Sequence, residues 1–478
     1  MENTPFIKLF SSPWNKYFYD VGRNEIVLIS EQLYSSLHLL ETGAVDWQGI
    51  LNHASEELSA LLEEGYLSCK RPIIVRHPLS ELTPYYLQRK IDMITLQITQ
   101  DCNFRCRYCI YSEHINRKQR SHSQKCMTWE TAKRAIDFYI AHSIDSEIRS
   151  IGLYGGEPLL QFELIKKIIE YSEEAAIGKP LDFHMTTNGS LLTNNVVEFL
   201  AKHQVQLLIS IDGNKASHDK NRVLSNGTGT YDLVMNNLMR VRKAFPDYYA
   251  SIQINTVLDP SNDFDSLTGL NGNLLGLPNG NFRFNYVEND DEDSTLLLST
   301  PDFREKDEYQ SFLSYLAICG KYPIEQLSPL SLQRFHDIES AFKRFQSEQY
   351  MPDMCSHGGP CIAGKSRLFI TSDGVFYPCE RVNERHYMSI GSLDSGFDYD
   401  NIKRLMNICE LTAEKCKNCW AIRSCSICSK MCDNGKMLSA EEKLKHCDES
   451  KHLVETQIRS IILQSELYYH HCSKEVSS

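Results

Sequence analysis

No run of about 18 or more uncharged apolar residues occurs in the 478-residue chain, so no membrane-spanning helix is expected. The opening MENTPFIKLF lacks both a basic n-region and an apolar h-region, which argues against a secretory signal and makes the cytoplasm the expected location. Basic charge is also in deficit. Lys plus Arg number 50 against 62 Asp plus Glu, a net charge of −12 with His neutral, and such a scaffold repels polyanions. Neither nucleic acid nor a membrane is therefore expected as a partner. Internal repeats and low-complexity tracts are absent. What remains is ordinary globular composition, 42% apolar and 23% charged, with length for more than one core. Cysteine is the exception: the 17 cysteines are odd in number and clustered, as ligands would be, rather than spread as a disulfide framework in a reduced compartment.

Periodicity divides the chain. Within residues 1–75, Lys16-Tyr-Phe-Tyr-Asp-Val alternates, Gly22-Arg-Asn supplies a turn and Glu25-Ile-Val-Leu-Ile-Ser resumes, which predicts a hairpin. Helical patterns follow over 31–41, closed by Gly43, and over 47–64, closed by Gly65. A hairpin followed by short helices suggests a winged-helix-like module, and 76–91 reads as a linker. From 92 to 300, strand-like runs at 93–99, 148–154, 181–187, 206–211, 251–258 and 281–287 alternate with helical patterns at 128–142, 159–176, 194–203 and 231–245. Such alternation predicts an α/β fold of parallel strands, a partial or complete barrel whose chemistry sits at the C-terminal ends of the strands. Residues 301–350 read as a helical bridge, and 351–478 as a cysteine-dense domain ending in a closing helix.

The first strand of this series runs into Gln100-Asp-Cys102-Asn-Phe-Arg-Cys106-Arg-Tyr108-Cys109. Three thiolates in one short loop can converge on an iron–sulfur centre, leaving one iron open, whereas a structural zinc site would want four ligands, usually with a C-x2-C pair from each of two loops. The pattern C-x3-C-x-aromatic-C after the first strand of an α/β repeat resembles the radical S-adenosylmethionine (radical SAM) superfamily. The resemblance implies a partial (β/α)6 barrel in which Cys102, Cys106 and Cys109 hold a [4Fe-4S] cluster. Its open iron would chelate SAM, and one electron would cleave SAM to methionine and a hydrogen-abstracting 5′-deoxyadenosyl radical.

Further motifs agree in place. Tyr154-Gly155-Gly156-Glu157-Pro158 follows the second strand and resembles the superfamily's GGE motif, which binds the SAM ammonium; glycines allow close approach of backbone and Glu157 accepts from a cation. Asn188 ends the third strand, and Ser210 with Asp212 ends the fourth, short polar side chains suited to ribose hydroxyls or methionyl groups. Arg222 resembles an arginine that pairs with the SAM carboxylate in relatives, with a surface ion pair as the alternative, and Asn255 on the fifth strand is a candidate to face the nucleoside, with a turn or packing residue as the alternative. Tyr108 belongs to the same cofactor-binding group.

Eleven cysteines follow residue 350, among them the run Cys416-x2-Cys419-x5-Cys425-x2-Cys428-x3-Cys432. This density can make two four-thiolate sites, of iron–sulfur or zinc. Beside a radical SAM loop it resembles the SPASM extension, which implies two auxiliary [4Fe-4S] clusters and three clusters in all. The family pattern assigns Cys355, Cys361, Cys379 and Cys428 to the first and Cys416, Cys419, Cys425 and Cys447 to the second. Cys428 stands one place early relative to the usual spacing, so Cys432 is a rival ligand. Beside these eleven ligands, Cys69, Cys126, Cys319, Cys409, Cys432 and Cys472 are left as structural or free thiols.

The layout resembles maturases of ribosomally made peptides, nearest the sactipeptide and ranthipeptide thioether synthases. It implies as partners a precursor peptide, gripped through its leader by the N-terminal module, and an electron donor such as flavodoxin or ferredoxin. The expected activity is a crosslink from cysteine sulfur to carbon. Carbon–carbon crosslinking and sulfatase formylglycine maturation are the alternatives within this chemistry, and a zinc-stabilised peptide-binding adaptor is the alternative outside it. No general base is legible.

Overall fold

The computed structural model describes residues 4–109, 111, 122–176, 178–269, 272–287, 299–345, 350–357 and 361–475. It divides into two compact units, one of residues 1–81, 336–361 and 404–478, the other of 82–335 and 362–403.

In the first unit, β1 (Ile7–Ser11), β2 (Lys16–Asp20) and β3 (Glu25–Ile29) form an antiparallel sheet with β2 in the centre. Alternation sorts its two faces. Leu9, Phe18 and Ile29 pack with Leu33, Leu37, Ile50 and Leu58 of the helices Glu31–Glu41, Trp47–Leu51 and Glu56–Glu63. Phe10, Tyr17 and Tyr19 pack on the other side with Ala421, Ile422, Val454 and Ile458, so the cysteine run and the C-terminal helix Cys447–Glu475 share a core with the N-terminal sheet. A short parallel pair joins β4 (Ile74–Val75) to β11 (Met354–Cys355).

Three expectations change here. The hairpin gains a third strand, Ile7–Ser11. The single helix over 47–64 is two, because Ser55 accepts from the Leu58 amide at 3.2 Å and caps a new start. The supposed linker holds the helix Thr83–Arg89, which has proline in its first turn and Leu87 buried.

In the second unit, β5 (Met93–Thr99), β6 (Ser150–Gly155), β7 (Asp182–Thr187), β8 (Gln206–Ser210), β9 (Gln253–Leu258) and β10 (Phe282–Tyr286) run parallel in the order β10-β9-β8-β7-β6-β5. The sheet continues through β12 (Leu368–Ile370), parallel to β5, and then antiparallel through β13 (Val375–Tyr377), β14 (Gly391–Ser392) and β15 (Gly396–Phe397). Helices Trp129–His142, Phe162–Ala175, Asn194–Lys202 and Tyr231–Ala244 fill the crossovers. Ser251 ends a helix, Pro246–Ser251, instead of opening β9. On β5, Ile94, Leu96 and Ile98 are fully buried, as are Ala132, Ala135 and Ile136 of the first crossover helix; each large apolar side chain so buried contributes about 1.5–3 kcal/mol. This is an α/β fold with a large, mostly parallel sheet, as a partial barrel requires, and it gathers the C-terminal ends of six strands on one side.

Candidate functional site

The loop that leaves β5 carries Cys102, Cys106 and Cys109, and the chain at 221–224 pins it. Arg105 N–H donates to Val223 O at 2.7 Å, Arg107 N–H donates to Asn221 O at 2.9 Å, and Phe104 bridges Leu224. Cys106 is buried, the other two partly so. Burial pushes the Cys102 thiol up to about 12 and the Cys106 thiol up to about 11, each thiol feeling its neighbours' charge and Cys106 also the opposing Arg222. Burial thus disfavours the free thiolates of Cys102 and Cys106, a cost that an iron cluster relieves because bound metal takes up the thiolate charge. Among the described residues, no three or more His, Cys, Asp or Glu side chains are grouped to hold a single ion. A polynuclear centre differs in giving each thiolate its own iron.

The paired glycines serve the loop itself. Gly155 has φ +143°, and a Cβ there would stand 2.1 Å from Thr99 O; one on Gly156 would stand 2.0 Å from Asp101 O. The end of β6 thus lies directly against the start of the cysteine loop, held by Gly156 N–H to Thr99 O at 2.8 Å and Glu157 N–H to Asp101 O at 2.9 Å. Glu157 is 0% exposed. Its carboxylate accepts from Thr187 Oγ1 at 2.7 Å, from the Asn188 amide at 2.7 Å and from the Leu159 amide at 3.1 Å. Burial raises its pKa and these three donors oppose the rise. Asn188 then reaches back: its Nδ2 donates to Asn103 Oδ1 at 2.8 Å and lies 3.9 Å from Cys102 Sγ.

A second group closes the far side of the loop. Arg222 is only 7% exposed, so it is no surface ion pair. Its Nη1 donates to Tyr108 Oη at 2.7 Å, and Tyr108 donates in turn to Asp212, which also accepts from the Val257 amide at 3.1 Å. Burial works against the Arg222 cation, but Cys106, Tyr108 and Asp212 outweigh it and hold its pKa well above the usual value. Burial raises Asp212 and pushes Tyr108 well up, with Arg222 opposing both. Ser210 ends β8 in register with Asn255 of β9, whose Oδ1 accepts from Asn285 Nδ2 at 2.9 Å. Sequence reasoning assigned no role to His218 or Thr230. His218 Nδ1 accepts from the Asp212 amide at 3.3 Å, its Nε2 faces Thr230 Oγ1 at 3.0 Å, and that hydroxyl donates to Arg222 O at 2.8 Å. One neutral imidazole therefore ties the Asp212 strand end to the Arg222 backbone. Its place in the stretch with Arg222 was the available signal.

The cysteine run lies in the first unit. The thiols of Cys419 and Cys447 each feel the charges of Cys416 and Cys425, and that of Cys432 feels those of Cys428, Cys416 and Cys425. Ser450 Oγ donates to Cys425 Sγ at 3.3 Å. Cys432 is buried with its thiol on Cys428 O at 3.5 Å, and Cys409 with its thiol on Val75 O at 3.4 Å. Cys355 is buried on β11 and Cys361 is exposed, whereas Cys379 follows β13 in the second unit. The Cys472 side chain lies outside the described residues.

The Radical SAM superfamily model matches residues 96–267. The radical SAM cyclopropyl synthase TigE of Paramaledivibacter caminithermalis is 31% identical over 136 residues, 27% of this chain and 29% of that protein. A cysteine-type anaerobic sulfatase-maturating enzyme of Clostridium novyi is 23% identical over 343 residues, 69% of this chain and 85% of that protein. Native anSMEcpe with bound AdoMet shares the fold at TM-score 0.58 and 17% identity, covering 78% of this chain and 99% of that one. The matches to the first curated relatives span only 29–38% of those proteins' lengths. The segment from 96 to 267, with its cysteine loop, paired glycines and strand-end polar residues, is a radical SAM superfamily domain.

Proposed function

We propose that the protein is a radical SAM peptide maturase that joins a cysteine sulfur to a carbon of a ribosomally made precursor peptide. The observation that carries the reading is the convergence of the three-thiol loop, the Gly155-Gly156-Glu157 turn and the buried Tyr108–Asp212–Arg222 group at the strand ends of a superfamily domain. In this reading Cys102, Cys106 and Cys109 hold a [4Fe-4S] cluster. Glu157, Asn188, Ser210, Asp212, Arg222 and Asn255 surround SAM. When bound, the cluster and SAM supply hydrogen-atom abstraction.

The chain's own residues orient that chemistry. Glu157 has lone-pair capacity beyond its three donors with which to meet an ammonium, and Arg222 keeps an Nε–H that is buried without a partner, suited to a carboxylate. Residues 1–75 form the winged-helix-like leader-binding domain, 76–91 the linker, 92–300 the partial barrel, 301–350 a helical bridge and 351–478 the SPASM domain with two auxiliary clusters. Among the described residues no strand pairs with the outer edge of β3, which is where a leader strand would add through main-chain hydrogen bonds. Flavodoxin or ferredoxin delivers the electron, and the cytoplasm is the site of action.

The relation to a sulfatase-maturating enzyme over 69% of the chain favours a second reading, oxidation of a Cys or Ser to formylglycine. One experiment separates the two. The anaerobically reduced protein is incubated with SAM and cysteine-containing precursor peptides, and peptide mass and 5′-deoxyadenosine are followed. Thioether formation yields a peptide lighter by two hydrogens: one leaves to the nucleoside, and the other leaves as the thiol proton and an electron. An aldehyde product supports the second reading. SAM cleavage with no change in cysteine-containing precursor peptides or in Cys- or Ser-containing sulfatase peptides overturns both.

A further inference from the structure

Lys443, in the helix Ala440–Lys445, is 1% exposed, an expensive place for an ammonium. Its three N–H bonds are all used: on Ile408 O at 3.1 Å, on Thr412 Oγ1 at 2.8 Å and on Cys416 Sγ at 3.3 Å. None of these partners is a carboxylate. The Thr412 hydroxyl oxygen accepts from the lysine, and its own hydrogen is free to point at Cys416 Sγ, 3.2 Å away. Two donors, one of them cationic, are therefore aimed at a single sulfur. A cluster-bound sulfur at Cys416 would place negative charge in direct hydrogen-bond contact with this ammonium.

We infer that Lys443 is a positioning residue of the second auxiliary centre, donating through Cys416 to stabilise that cluster's reduced form and so hold its reduction potential up. This rests on reading Cys416, Cys419, Cys425 and Cys447 as one ligand set. The physics is direct. Reduction adds negative charge to a buried centre, a cation in hydrogen-bond contact with a ligand sulfur favours that state, and hydrogen bonds to cluster sulfurs are among the means by which proteins set such potentials. A higher potential suits the centre to receiving the electron that leaves the substrate.

The test is a redox titration, read by electron paramagnetic resonance, of the full chain in a Cys102→Ala, Cys106→Ala, Cys109→Ala background, so that only auxiliary signals remain. In Lys443→Met, the reduced-to-oxidised ratio of one component at a fixed applied potential should fall at least tenfold, a shift of about 59 mV for a one-electron couple. Lys443→Arg should stay within about threefold of the parent, and Thr412→Val should shift the same component downward by less. A Lys443→Met protein with full iron that titrates like its parent overturns the inference. Should Lys443→Met lose iron, Thr412→Val carries the decision, and an unshifted titration there overturns it equally. Absence of any auxiliary signal in the parent is a different result, which removes the ligand set itself.

Discussion

At the scale of single residues, the cysteine loop depends on atoms that are missing from its neighbours. A methyl group on Gly156 would meet Asp101 O at 2.0 Å, and backbone on both sides leaves little room to yield. Gly156→Ala is expected to cost at least about 1–3 kcal/mol by overpacking and to lower iron uptake at Cys102, Cys106 and Cys109. Iron analysis beside a urea melt checks it, and unchanged iron would refute it. His218 gives a pH prediction. Burial, with Arg222 adding to it, lowers its pKa from 6.5 to about 3. Above pH 6.5 the imidazole is neutral folded or unfolded, and its stabilising contribution is complete. Below 6.5 the unfolded chain binds a proton that the folded chain refuses down to about 3, so stability falls through that window by up to about 1.4 kcal/mol per pH unit. His218→Asn, which keeps an acceptor for the Asp212 amide, should lose less stability than the parent between pH 6.5 and 5, as urea midpoints will report. The cysteines and the Gly-Gly-Glu turn were legible in the sequence because they are local. Lys443 on Cys416 and Thr230 on Arg222 were not, because those contacts exist only after folding.

At the scale of elements, period and punctuation carried the second unit well. Six strand-like runs became β5 to β10 with ends moved by a residue or two, since alternating or continuous apolar runs between amphipathic helices leave few other arrangements. The first unit was harder. Ile7–Ser11 does not alternate, since polar Lys8 is followed by the apolar pair Leu9-Phe10, and the apolar spacing over 47–64 bridged a break that only the Ser55 cap reveals. The helix Thr83–Arg89 was hidden by its own proline, a stop signal inside a helix but a favourable residue in its first turn. The open edge of β3 carries Leu28 at 60% exposure, and its three-stranded sheet is otherwise well packed. Leu28→Asp should therefore weaken binding of a labelled leader peptide several-fold in fluorescence anisotropy while leaving the melting temperature within a few degrees, because surface changes usually cost within about 0.5 kcal/mol. Equal affinity would remove β3 as the docking edge.

At the scale of the whole molecule, the account assigns eleven of the 17 cysteines to three clusters. Anaerobic reconstitution should then give about twelve irons per chain, falling to about eight when Cys102, Cys106 and Cys109 are replaced by alanine. Zinc without iron would instead support an adaptor. The central claim is narrower than this count: the loop after β5 holds a cluster with one iron left for SAM. Its most direct test is the paramagnetic resonance spectrum of the reduced protein recorded with and without SAM. The account predicts that SAM shifts the signal of one cluster and that the alanine triple variant loses both that signal and the shift. A reduced wild-type spectrum that SAM leaves unchanged would contradict it.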